Sequence, residues 1–287
     1  MAGRSLCSRS RRQRTIGVDG SGAGVGSGHF VLLKSLNSYT NTSQIPSLEG
    51  LFRAQNLHSR ELTMPRAKRN YLPGYAWHLT HRCHNRDFLL KFERDRARWR
   101  HWLREAKKRY GLVVLDYIVT SNHVHLLVYD RAKTCIARSM QLVAGRVAQE
   151  YNCRKSRRGA FWEDRYYATA VATGRHLARC IVYIDLNMVR AGVVKHPSHW
   201  KVCGYSEIQS AGMRYRIIDL DALCVLTETS SPAALRQSHR RWVEEALEHE
   251  GLTRQPDWTE TVAVGPDSFV RRFRCEKARS KRHKKAS

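Results

Sequence analysis

Two β-rich runs, Leu112 to Thr120 and His123 to Asp130, stand with only Ser121 and Asn122 between them, and this pair constrains the fold more than any other feature. Runs of that length joined by two residues predict a tight antiparallel hairpin. Helical periodicity flanks it. Residues 93–110 place Trp99, Trp102, Leu103 and Ala106 on one face, with Arg and Lys around the rest, which predicts a basic amphipathic helix. A second helix is expected from about Thr134, taken as its N-cap, to Tyr151. The alternating segment from Gly74 to His81 predicts a strand, Phe161 to Thr173 another, and Arg175 to Val189 a final helix. The order is β-α-β-β-α-β with one helix appended. That is the split βαβ, ferredoxin-like pattern: an α+β fold with an antiparallel sheet and helices on one face.

The ends of the chain read differently. Residues 17–28 are a Gly/Ser-rich run whose GxGxG spacing lacks the preceding strand and following helix that a phosphate loop needs. Residues 1–63 are therefore expected to be a disordered extension, with folded sequence starting near Met64, the main domain over 64–210, and a small helical extension over 211–287 that ends in a flexible basic tail. The N-terminal arginines lack the apolar core of an export signal; their Arg- and Ser-rich setting suits a transit peptide or a disordered tail.

Charge narrows the partner. The chain of 287 residues carries a formal net charge of +26, and residues 64–210 hold 28 Lys and Arg against 11 Asp and Glu. That excess points to a polyanion, most simply nucleic acid. A content of 42% hydrophobic residues with seven Trp excludes disorder throughout. No run approaches the roughly 18 apolar residues of a membrane helix, so no membrane partner is expected. Eight scattered Cys without a CxxC predict reduced thiols in a cytoplasmic protein.

Two constellations could carry chemistry. His123 and His125 sit at i and i+2 of a strand, which aims both imidazoles at one face. The pair fits a satisfied core position or a divalent metal site. Tyr183 and Asn187 sit at i and i+4 of the last helix, which stacks a phenol and an amide. Packing with a satisfied hydroxyl explains them as well as a joint site does.

The ordered motifs SNHVHLLV, FWEDRYY and YIDLNMVRAGVV, with the hairpin before them, resemble the IS200-like transposase family of HUH single-stranded DNA transesterases, with REP-associated tyrosine transposases as the closest subgroup. The likeness runs from about Met64 to Ile208. It implies that 64–210 is a catalytic domain in which Tyr183 is the nucleophile and His123, His125 and Asn187 are metal ligands, with Asp185 the second choice for the third ligand. It further implies a divalent cofactor, Mg²⁺ or Mn²⁺, no ATP, a 5′-phosphotyrosine intermediate, and cleavage and rejoining of single-stranded DNA at hairpin, REP-like sequences. His81, Cys83 and His84 lack the second half-site of a zinc centre.

DNA contacts are expected from Arg66, Lys68 and Arg69, from the arginines of the first helix, and from the loop carrying Arg154, Lys155, Arg157 and Arg158. The alternative is a non-catalytic DNA-binding or repressor protein on the same fold, which would tolerate Phe at position 183. A structured-RNA binder is a third reading. Monomer and homodimer both remain open.

Overall fold

The computed structural model describes residues 71–132, 134–248, 253 and 255–283. The expected order is present as β1 (Ala76–Arg82), α1 (Glu93–Tyr110), β2 (Val113–Val119), β3 (His123–Tyr129), α2 (Cys135–Arg154) and β4 (Tyr167–Val171), followed by α3 (Arg175–Asp185) and the single turn α4 (Asn187–Arg190). Beyond these come α5 (Gly204–Gln209), α6 (Leu220–Thr227), α7 (Pro232–Glu248), α8 (Asp257–Glu260), β5 (Ala263–Val264) and α9 (Asp267–His283). The sheet order is β2-β3-β1-β4-β5. The first three neighbouring pairs are antiparallel, as a ferredoxin-like sheet requires, and β5 adds a parallel edge to β4.

The helix α1 forms where its periodicity predicts. Trp99, Leu103 and Ala106 are buried, and Gly111 ends the helix in the left-handed conformation (φ +66°), its N–H donating to the Lys107 carbonyl at 2.9 Å. Trp99 meets Tyr117 of β2 with ring centroids 6.1 Å apart. Thr134 does precede α2, but it sits at φ +69° and its hydroxyl makes no capping bond.

Helices also cover the second face. All seven residues of β2 are buried, which a sheet covered on one side cannot achieve. Tyr117 meets α1, while its neighbour Asp116 faces the other way, toward Asp185 of α3 and Gly204 of α5. The outer edge of β2 is closed as well, because the Val119 N–H donates to the Val202 carbonyl at 3.0 Å. Gly204 is required here: a Cβ on it would stand 1.8 Å from Asp116 Oδ1.

Burial, and then the nearby Asp185 charge, raise the Asp116 pKa well above its ordinary 3.8. The folded chain therefore keeps a proton that the unfolded chain releases above pH 3.8, and stability falls as pH rises from there. Asp116→Asn removes this dependence. Its melting temperature should gain on wild type progressively as pH rises above about 4, whereas a constant offset would show that Asp116 ionises normally.

Residues 211–287 do more than extend the fold with helices. They supply β5, and Phe273 of α9 is fully buried against Trp77 at 5.6 Å and Tyr75 at 5.3 Å. The basic tail expected to be flexible is helical through His283, because the apolar stripe of Phe269 and Phe273 anchors it. The expected extension 1–63, together with Arg66, Lys68 and Arg69, lies outside the described residues. Among the described residues no helix is long and apolar enough to cross a membrane.

Candidate active site

The register of β1 and β3 pairs Thr80 with His125 and Arg82 with His123, so alternation puts His78, Thr80, Arg82, His123 and His125 on one face. Above them the chain breaks the helix that carries Tyr183. Leu186 lies at φ −79°, ψ 4° between α3 and α4, and the Arg190 guanidinium donates to the Tyr183 carbonyl at 2.5 Å, the carbonyl to which residue 187 would bond in a continuous helix. Tyr183 and Asn187 nonetheless reach the same place. Both line a cleft of ≈ 420 Å³ with His123 and His125. Arg82, Arg86 and Arg190 line it too.

Tyr183 is 7% exposed, and its ring centroid lies 5.9 Å from that of His125 and 6.0 Å from that of His78. The Arg190 guanidinium stands 4.2 Å from the phenol ring centroid. Burial lowers the Arg190 pKa, and Tyr183 opposes that shift. Burial also pushes His123 down to about 4, helped by Arg82 and Arg190, and holds His125 well below the ordinary imidazole range. His78 is lowered to about 4, again by burial. These imidazoles are neutral at pH 7, the state in which imidazole ligates metal.

The Nδ1 atom of His123 lies 2.7 Å from Asn122 Oδ1 and 3.0 Å from Thr120 Oγ1. The Asn122 oxygen can only accept, so Nδ1 of His123 carries the proton and Nε2 keeps its lone pair. The Asn187 amide nitrogen lies 3.1 Å from His125 Nε2, and rotating that amide brings its oxygen to the same point. Among the described residues no group of three His, Cys, Asp or Glu side chains could hold a metal. The set with metal-ligating chemistry is thus two imidazoles and one amide oxygen, a mixed N/O set that fits a divalent cation with open positions. Asp185 belongs elsewhere. It is fully buried, with Oδ1 accepting from the Tyr205 N–H at 3.0 Å and Oδ2 lying 2.7 Å from His239 Nε2.

Residues 72–187 match the sequence model of the family described as transposase IS200 like. Over that segment the chain is similar to that family. Two solved structures are similar to it. A REP-associated tyrosine transposase bound to a REP hairpin shares 19% identity, with 54% of this chain and 90% of that one covered and a TM-score of 0.44. A candidate transposase from Deinococcus radiodurans R1 shares 17% identity, with 45% and 92% covered and a TM-score of 0.30. No curated protein matches the chain.

The IS200-like segment contains His123, His125, Tyr183 and Asn187, while Arg190 and Thr259 reach the cleft from beyond it. The loop arginines expected to bind DNA do not line this cleft. Arg154 is ion-paired with Asp95, Lys155 stands 5.6 Å from the Phe92 ring centroid, and Arg157 donates to Asn152 Oδ1 at 3.2 Å; Arg158 follows in the same loop. Arg154 lines a separate groove of ≈ 600 Å³ between α1 and α2, with Arg94, Arg98 and Arg146. The sequence reading missed Arg82, Arg86 and Arg190 in the cleft itself. Two of them had a signal: Arg82 shares the β1 face of Thr80, and Arg190 follows Tyr183 by seven residues, two helical turns.

Proposed function

We propose that this IS200-like chain is a metal-dependent DNA transesterase that cleaves and rejoins single-stranded DNA at hairpin, REP-like sequences, with Tyr183 as its nucleophile. The observation that carries the reading is the meeting of one phenol, two neutral imidazoles, two amides and three guanidinium groups in a single cleft. His123, His125 and Asn187 would hold Mg²⁺ or Mn²⁺, which when bound supplies Lewis-acid neutralisation of the scissile phosphate.

Arg82, Arg86 and Arg190 give the phosphate a cationic seat, and Arg190 also favours negative charge on the phenol beside it. The Tyr183 oxygen bonds to phosphorus as the bond from phosphorus to the 3′ oxygen breaks. The phenol proton passes to solvent, and the departing 3′ oxygen takes one up. The product is a 5′-phosphotyrosine and a free 3′-hydroxyl. Attack by a 3′-hydroxyl reverses the step and joins strands without ATP, because one phosphodiester has been exchanged for another.

The test is a labelled single-stranded hairpin oligonucleotide from repeats flanking the gene, incubated with the full chain and Mn²⁺ or chelator, with Tyr183→Phe alongside. A covalent protein–DNA band that needs both the cation and Tyr183 supports the reading. Tight binding with no such band, unchanged in Tyr183→Phe, supports the non-catalytic alternative. The groove between α1 and α2 gives a separate expectation. If Arg94 and Arg146 track phosphates, replacing either by Ala should lower the slope of log K against log salt by about 0.7 for a single strand. An unchanged slope would place the DNA on another surface.

A further inference from the structure

We infer that His78, held by the backbone carbonyl of Trp258, fixes the tautomer of His125 so that its Nε2 lone pair faces the cleft. This makes His78 a positioning residue and joins the C-terminal segment to the candidate active site. The inference rests on the proposed metal-dependent reaction for its purpose, but not for its geometry.

The geometry is a chain of three groups. Nδ1 of His78 lies 2.9 Å from the Trp258 carbonyl oxygen, and Nε2 of His78 lies 2.8 Å from Nδ1 of His125. A carbonyl only accepts, so Nδ1 of His78 carries a proton. A second proton on that ring would put a cation where the side chain is 1% exposed and its hydrogen-bond partners are a carbonyl and another imidazole rather than a carboxylate. Nε2 of His78 is therefore an acceptor. Nδ1 of His125 must then donate to it, with Thr80 Oγ1 at 3.2 Å on the same atom. The remaining nitrogen of His125 is left unprotonated and directed at Asn187.

The far end of the chain is itself fixed. The Trp258 carbonyl also accepts from Thr169 Oγ1 of β4 at 3.2 Å, and the indole N–H donates to Gln255 Oε1 at 2.8 Å. Trp258 is 1% exposed, and its ring lies 6.0 Å from Tyr183. The IS200-like match ends at residue 187, so the group that sets this tautomer comes from sequence outside the match.

Nitrogen-15 correlation spectra of the metal-free full chain, labelled at histidine, should show His125 protonated at Nδ1 and unprotonated at Nε2. His78→Phe removes the acceptor; His125 should then populate both tautomers, and Mn²⁺ affinity should fall about 10- to 100-fold. His78→Gln keeps an acceptor for His125 and a donor for Trp258, and should recover most of that loss, which a purely packing role for His78 would not predict. A proton on Nε2 of wild-type His125, or unchanged Mn²⁺ affinity in a folded His78→Phe, would overturn the inference. If His78→Phe does not fold, the wild-type spectrum decides alone. A wild-type chain with His125 protonated at Nδ1 that forms no covalent DNA adduct would refute the transesterase reading and leave the tautomer assignment standing.

Discussion

His125→Ala should lose divalent-cation binding at the cleft and, with it, covalent attachment to DNA. The substitution leaves one imidazole and one amide, too few donors to compete with water for Mg²⁺ or Mn²⁺. Loss of a partner outside the ligand set already costs 10- to 100-fold in affinity, so loss of a ligand should cost at least about 100-fold. His125 is 2% exposed, and its removal also orphans His78 Nε2, so a melting curve must accompany the metal titration. Mn²⁺ titration followed by electron paramagnetic resonance separates the two effects. A folded His125→Ala chain that binds Mn²⁺ like wild type would remove His125 from the ligand set. Asn187→Ala should follow the same direction with a smaller loss, since an amide oxygen is the weakest of the three donors.

Glu207→Ala should destabilise the chain by about 3–5 kcal/mol without touching the cleft. Glu207 is 1% exposed, and its carboxylate accepts from the Tyr117 hydroxyl at 2.5 Å and the Arg100 guanidinium at 3.3 Å. Its other oxygen accepts from the backbone N–H groups of Ile217 at 2.8 Å and Ile218 at 3.2 Å. One side chain of α5 thus ties β2, α1 and the segment leading into α6 together. Alanine leaves a buried phenol, two amides and a guanidinium without their acceptor, and each such loss is costly. The melting temperature should drop on the order of 10 °C. Glu207→Gln, which keeps one accepting oxygen, should lose less. A loss in Glu207→Ala under about 1 kcal/mol would mean that other groups hold this corner.

The elements that the sequence displayed well were those whose signal is local. The period of Trp99, Leu103 and Ala106 defined α1 from Glu93 to Tyr110, and the two-residue gap at Ser121 and Asn122 placed the hairpin. The His123 and His125 pair and the Tyr183 and Asn187 pair were visible for the same reason, since strand and helix spacing set the direction of side chains. What escaped depends on distant partners. The break at Leu186 has no Gly or Pro to announce it and is accompanied by the Arg190 bond to the Tyr183 carbonyl. A strand of two residues, β5, is too short to show a period, and its pairing with β4 crosses more than 90 residues. In α9 the many Arg and Lys masked the two phenylalanines that dock it. His78 looked like one more residue in an alternating strand because its partner, Trp258, is 180 residues away.

The most direct test of the central claim is the chemical identity of the residue joined to DNA. After reaction with Mn²⁺ and a hairpin oligonucleotide, nuclease and trypsin digestion should leave a nucleotide on the peptide spanning 180–190, whose single tyrosine is Tyr183. Mass spectrometry should find that peptide carrying a 5′-phosphate-linked nucleotide, absent when chelator is present. A nucleotide on Tyr166, Tyr167 or any other residue, or linkage through a 3′-phosphate, would contradict the account.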